Sequence, residues 1–317
     1  MIITREWEGL EAIQWENEVL KLIILPDLGS KIASIYDKRT GREWMDQPPA
    51  RIFQLPVPGS EWGAWDRCGW DELFPSIDEC FYPAQPWSGK KVTDHGELWS
   101  KSWDYSIVDE MTVEWETKGE TLPYLLNKKM QLIGSRIVFE YRLANLGEHP
   151  LPYIWAPHPI VAAGPLMRIE LPESVERVVV AFSAEERLGA RGTEHCWPAT
   201  IDSNGSPRRL NQIPERNSGI AEKLYAAAPL DEGFCRIIDE TSGDSFKLIF
   251  DPAQLPYLGI WINGGGWGNE YHVALEPAAG YLDNLNEAYR AEQCTIVPEY
   301  GTNSWTLTLE VGAGGSK

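Results

Sequence analysis

The chain reads as an all-β protein, and three observations lead there. Short runs rich in β-branched and aromatic residues recur along its 317 residues. Clusters of Gly, Pro, Asn and Asp punctuate them as turns. No segment longer than about ten residues carries a 3.6-residue apolar period, so a core-forming helix is not expected. Together these predict a large β-sandwich or barrel. Strand patterning continues on both sides of every polar stretch, which predicts one domain over residues 1–317.

In chain order, Val19 to Leu25 is β-branched and apolar and stops at the turn Pro26-Asp27-Leu28-Gly29. Lys31 to Tyr36 alternates as a half-buried strand does, then meets Asp37-Lys38-Arg39-Thr40-Gly41. Gly59 to Gly89 is an aromatic, Pro-containing excursion, of a length that usually carries function or its own structure. Further strands are expected at 103–108, 112–115, 124–132, 136–144, 154–155, 177–182, 246–250, 258–261, 271–275 and 304–311. The polar stretch from Thr200 to Arg216 reads as a surface loop, and Glu287 to Ala291 as a short helix at most.

Composition narrows the function. The formal net charge of −19 repels nucleic acid and anionic membranes, so neither is an expected partner. No apolar stretch approaches the ~18–20 residues needed to cross a membrane. The start, Met1 to Glu6, lacks a basic segment followed by an apolar run, so no signal peptide is expected. Five cysteines, an odd number without a C-x-x-C pair, fit a reducing cytoplasm. Tryptophan is the outlier at 15 residues, six of them between Trp62 and Trp103. Its flat apolar face and single N–H donor suit sugars, which present C–H faces and hydroxyls; large β-sandwiches also simply bury Trp.

Three segments carry candidate chemistry. Glu276 lies in Val273-Ala274-Leu275-Glu276-Pro277, where a carboxylate ending a buried strand needs a partner or a task. His158 is held rigidly between Pro157 and Pro159. His95 sits in Asp94-His95-Gly96-Glu97, whose His-x-Glu spacing would put both side chains on one face of a strand. No further metal-ligand spacing accompanies that pair, so a substrate hydrogen bond is the better reading and no metal is expected. One Glu and two His suffice for acid–base work at neutral pH. The segment Trp70-Asp71-Glu72 adds carboxylates in an aromatic setting. Adjacent strand residues point to opposite faces, so Asp71 and Glu72 do not flank one bond together; each is read as a hydroxyl ligand or a solvated charge.

Taken together, these segments resemble the aldose 1-epimerase (galactose mutarotase-like) superfamily over nearly the whole chain. Leu25 to Ile32 with Asp37 to Gly41 resembles its opening hairpin. Asp94-His95-Gly96 resembles its first histidine motif, and Asn145-Leu146-Gly147 followed by Ala156-Pro157-His158-Pro159 the approach to its second. Leu275-Glu276-Pro277 resembles the motif of its catalytic glutamate. The resemblance implies a single large β-sandwich, a supersandwich with an open cleft on one sheet. It implies that Glu276 takes the proton of the anomeric hydroxyl while His158 protonates the ring oxygen and His95 holds or polarises that oxygen or a nearby hydroxyl, without cofactor or metal. The chain departs from the pattern in two places. Trp70, Asp71 and Glu72 stand where many relatives carry Arg, and Glu222-Lys223-Leu224-Tyr225 where they carry Asp. Trp70, Asp71, Glu72, Lys223 and Trp261 are therefore the candidate substrate-binding residues. The lack of an Arg cluster points away from a phosphorylated sugar.

The expected activity is thus that of a mutarotase on an unphosphorylated free sugar, the protein being a monomer or a homodimer. Two alternatives stay open: a carbohydrate-binding protein on the same scaffold, and a glycoside hydrolase or lyase using Asp71, Glu72 or Glu97.

Overall fold

The computed structural model describes residues 1–48, 53–57 and 59–314. Among them, two antiparallel sheets dominate, one of twelve strands and one of eight. Their inner faces meet through aromatic rings. Trp70 of the larger sheet lies 5.1 Å from Phe139 and 6.2 Å from Phe246, both on the smaller one. The interior is thus that of a sandwich, filled by the alternate side chains of both sheets.

Most expected strands form. The Lys31–Asp37, Tyr124–Ile133, Arg136–Asn145, Tyr257–Gly264 and Tyr271–Ala278 strands match their patterns closely. Residues Ile154 and Trp155 do not form one; they link Leu151–Tyr153 to Ala156–Ala162. The stretch read as a surface loop contains a small hairpin, Ala199–Ile201 with Pro207–Arg209. The helix is Leu285–Arg290, capped by Asn284, whose side chain accepts the Glu287 N–H.

Three features place the site. First, the long excursion after Gly59 contributes the Gly69–Leu73 strand, central in the larger sheet between Lys31–Asp37 and Ala156–Ala162. Its two carboxylates break the apolar pattern. Both are neutralised by buried lysines, Lys31 for Asp71 and Lys128 for Glu72.

Second, the prolines of Ala156–Ala162 interrupt a ladder. The Ala162 N–H donates to Trp44 O, so even-numbered N–H groups face the Gly69–Leu73 side. Positions 157 and 159 therefore face Tyr271–Ala278, and proline has no N–H to give there. Pairing with that strand is confined to Val161↔Val273 and Ala162↔His272. Extending this register sets His158 opposite Glu276.

Third, two glycines make room. A Cβ on Gly259 would meet the Tyr225 ring at 3.2 Å and Glu276 Oε2 at 3.4 Å. A Cβ on Gly96 would fall 1.9 Å from Phe74 O, and Gly96 has φ +71°. Only glycine fits that turn, which also holds His95 at φ 60°.

Candidate active site

Register brings the expected residues together across the larger sheet. One row runs Asp71, His158, Glu276, Gly259, Tyr225. The neighbouring row runs Ala274, Trp261, Lys223, Phe182. Small residues at 259 and 274 lower the floor between larger neighbours. A cleft of about 730 Å³ opens above, lined by Trp62, His95, His158, Lys223, Trp261 and Trp267 among others.

Glu276 is fully buried beneath this cleft and is not part of its lining. One oxygen, Oε1, is 3.0 Å from His158 Nδ1; the other accepts from Lys223 Nζ. Lys223 also lies 3.6 Å from Asp283, whose Oδ1 accepts from Tyr225 OH at 2.8 Å. Burial pushes the Glu276 carboxyl up, but the Lys223 ammonium and His158 outweigh it and hold it at about 2. Burial pushes His158 down to about 4 against the pull of Glu276. Burial also works against the Lys223 ammonium, yet Glu276 and Asp283 raise it above its ordinary value. At neutral pH the cluster is thus a carboxylate, a neutral imidazole and an ammonium. Since the carboxylate only accepts, the imidazole proton sits on Nδ1, and Nε2 is left with a lone pair.

The upper histidine is built differently. His95 Nδ1 is 2.9 Å from Asp94 Oδ1. Its ring stacks on Trp62 at 4.7 Å, with 6° between the planes. Trp62 in turn meets the His158 ring edge-on at 5.0 Å. Asp94 fixes the backbone of Trp62 through its N–H, and Asp71 fixes the indole through Nε1 at 2.8 Å. Asp71 itself is clamped by Lys31, which also holds Asp66.

These contacts correct several expectations. Trp70 and Glu72 do not reach the cleft. They share the opposite face of their strand from Asp71, and they pack between the sheets. Asp71 lies behind Trp62 and acts on the cleft through it. His95 and Glu97 do not share a face, because His95 sits in a turn and Glu97 accepts from Tyr124 OH, away from the cleft. None of Asp71, Glu72 and Glu97 lines the cleft, which removes the carboxylates on which the hydrolase alternative rested.

Sequence reasoning missed Trp62, Trp267, Asp78, Asp283 and Arg191, all in the cleft lining. Trp62 belonged to the Trp-rich stretch, and Asp94 to a quoted motif, so both had a signal. Asp283 and Asp78 come from irregular segments and had none. The Asp78 carboxyl is pushed up to about 6, by burial first and then by Asp283. Five carboxylates (Glu61, Asp78, Glu79, Asp94, Asp283) face the cleft against the cations Lys223 and Arg191. Arg191 is already bound to Glu287.

The architecture is that of the galactose mutarotase-like proteins. Across 99% of this chain and 96% of the other, it superposes on the Slr1438 protein of Synechocystis sp. PCC 6803 with a TM-score of 0.69 at 17% identity. A galactose mutarotase related enzyme of Lactobacillus acidophilus gives 0.68 at 15% identity, covering 100% and 99% of the two chains. A galactose mutarotase-like protein of Clostridium acetobutylicum gives 0.67 at 14%, covering 99% and 98%. At these identities the likeness is one of fold. No protein-family model matches the sequence, and a search of curated proteins finds no match.

Proposed function

We propose that the chain is an aldose 1-epimerase-like isomerase that interconverts the α and β anomers of an unphosphorylated sugar by acid–base ring opening. The observation that carries this is the buried Glu276 joined to His158 and Lys223 at the foot of a tryptophan-walled cleft. A binding protein has no need to hold a carboxylate, an imidazole lone pair and an ammonium together. Trp62, Trp261 and Trp267 suit the C–H faces of a pyranose. The excess of carboxylates over cations in the cleft disfavours a phosphate or another anion.

Glu276 was expected to act directly as base and His158 as acid. With both Glu276 oxygens engaged, the base that a sugar meets is His158 Nε2, backed by Glu276 through Nδ1. This is the arrangement in which a carboxylate orients a histidine and stabilises the imidazolium that forms. The reading needs no cofactor, and the five free cysteines fit a reducing cytoplasm.

The test is polarimetry or NMR on freshly dissolved α-anomers of glucose, galactose, xylose, fucose and an acidic sugar, with wild type and Glu276→Gln side by side. Faster equilibration of a neutral sugar by wild type alone is the expected result. The engagement of both Glu276 oxygens favours a second reading, a sugar-binding protein without turnover. Sugar binding without acceleration of any anomer would establish it.

A further inference from the structure

Resting on that reading, we infer that Lys223 is the catalytic acid, the group that hands a proton to the ring oxygen as the sugar opens. Geometry leads to this choice. The proton-handling cluster has two members in the cleft lining, His158 and Lys223, and Glu276 sits behind both. His158 presents a lone pair and so serves as base. The same carboxylate that orients it grips Lys223, which places donor and acceptor on opposite oxygens of one group. A sugar laid across the pair meets a base on one side and an N–H donor on the other.

The surroundings of Lys223 fit this task. In register it lies between Phe182 and Trp261 on the flanking strands. The centroids of those two rings are 6.3 Å apart. Its own strand supplies the Tyr225 ring, 5.7 Å from Nζ. The charged and titratable groups facing it are Glu276 from Tyr271–Ala278, His158 from Ala156–Ala162, Asp283 from the turn beyond, and Asp78 across the cleft. Aromatic flanks limit water around the ammonium, while Glu276 and Asp283 keep it protonated at rest.

The step balances without an added reactant. The O1–H proton passes to His158 Nε2, and the O1–H electron pair becomes the second bond of the C1=O1 carbonyl. The C1–O5 bond breaks, and its electron pair takes a proton from Lys223 Nζ. Rotation about C1–C2 turns the carbonyl over. On closing, His158 returns its proton to O1 and Lys223 recovers one from O5, giving the other anomer.

The experiment compares wild type, Lys223→Arg, Lys223→Ala and His95→Asn on whichever sugar wild type accelerates, with binding followed by calorimetry. Arginine keeps the charge and the grip on Glu276 but does not release a proton below about pH 12. We expect Lys223→Arg to bind sugar within a few-fold of wild type while kcat falls ~100-fold or more, the scale of a general acid. Methylamine should partly restore Lys223→Ala, because it supplies the missing donor in trans. His95→Asn should lose less kcat than either lysine variant. A Lys223→Arg enzyme with near-wild-type kcat would show that Lys223 only clamps Glu276, and this assignment would fall. A larger loss in His95→Asn would move the acid to His95. Wild type inert on every sugar would instead overturn the isomerase reading itself, so the two failures are distinct.

Discussion

Among the described residues, two glutamates are buried beside a lysine, and they do different things. Glu72 is held between the sheets by Lys128 Nζ at 3.0 Å, Tyr141 OH at 2.9 Å and Trp155 Nε1 at 3.1 Å. Lys128 bonds Ser30 as well and lies 5.0 Å from the Trp103 ring and 5.7 Å from that of Trp115. Glu276 has a lysine and a histidine in the same way, but both of those partners also face the cleft. Burial dominates Lys128 and pulls its ammonium down. Around Lys223 two carboxylates prevail over burial. The difference is one of spare capacity: the Glu72 cluster closes on itself, while the Glu276 cluster keeps a lone pair and an ammonium turned outward. A buried ion pair marks a reactive site when its partners have atoms left over.

The comparison can be broken by removing one charged partner from each cluster. Glu276→Gln should lower kcat by ~10²–10⁴-fold in the anomer assay, the range of lost acid–base assistance. The melting transition should change less than in the Lys128 variant, because Asp283 stays beside the Lys223 ammonium. Lys128→Met should do the reverse. Removing one partner leaves Glu72 as an uncompensated buried charge, at a cost of ~3–5 kcal/mol of unfolding free energy in denaturant titration. Turnover per folded molecule should be kept. Equal effects of the two variants on rate would erase the distinction drawn above.

The pH profile sharpens it further. The reading requires His158 unprotonated, and its pKa of about 4 places the acid limb of kcat/KM near that value. Lys223 lowers both His158 and Glu276. Its replacement by methionine should therefore move the acid limb upward, toward the ordinary histidine value of ~6.5. A limb that stays in place would mean that another group controls it.

The smallest effect belongs to the wall. Trp62→Phe keeps an aromatic face, though a smaller one, and removes the Nε1 donor to Asp71. A hydrogen bond to a charged group contributes ~1.5–3 kcal/mol, so a stability loss at the lower end of that range is expected. With it should come a modest rise in KM at unchanged kcat.

How much of this was legible in the sequence depends on how each residue reaches the site. Trp261 and Glu276 lie at or just beyond the ends of strands expected at 258–261 and 271–275, whereas His158 and Lys223 lie on Ala156–Ala162 and Ile220–Ala226, neither of which was expected as a strand. Once the strands pair, register alone gathers them. Trp70 and Glu72 were assigned to the wrong face, because the strand carrying them lay inside a segment read as an excursion and its parity was never fixed. Its two carboxylates hid its burial, and nothing local reveals that Lys31 and Lys128 arrive from distant strands to neutralise them. The edge hairpin of Ile2–Trp7 and Leu10–Glu16 was also not anticipated; its first strand is largely exposed and polar, so it lacks an apolar face. Asp78 and Asp283 ride on irregular backbone, where no periodicity predicts direction.

Pro157 and Pro159 have one more consequence. A residue with an amide hydrogen at either position would offer the Tyr271–Ala278 strand another rung. Each such rung adds on the order of 1 kcal/mol of cohesion and would stitch the sheet shut along the line between His158 and Glu276. The two rings act as a placket in a woven cloth, a deliberate unsewn length. The fold gives up a little fabric strength there, and the opening lets two side chains meet across it.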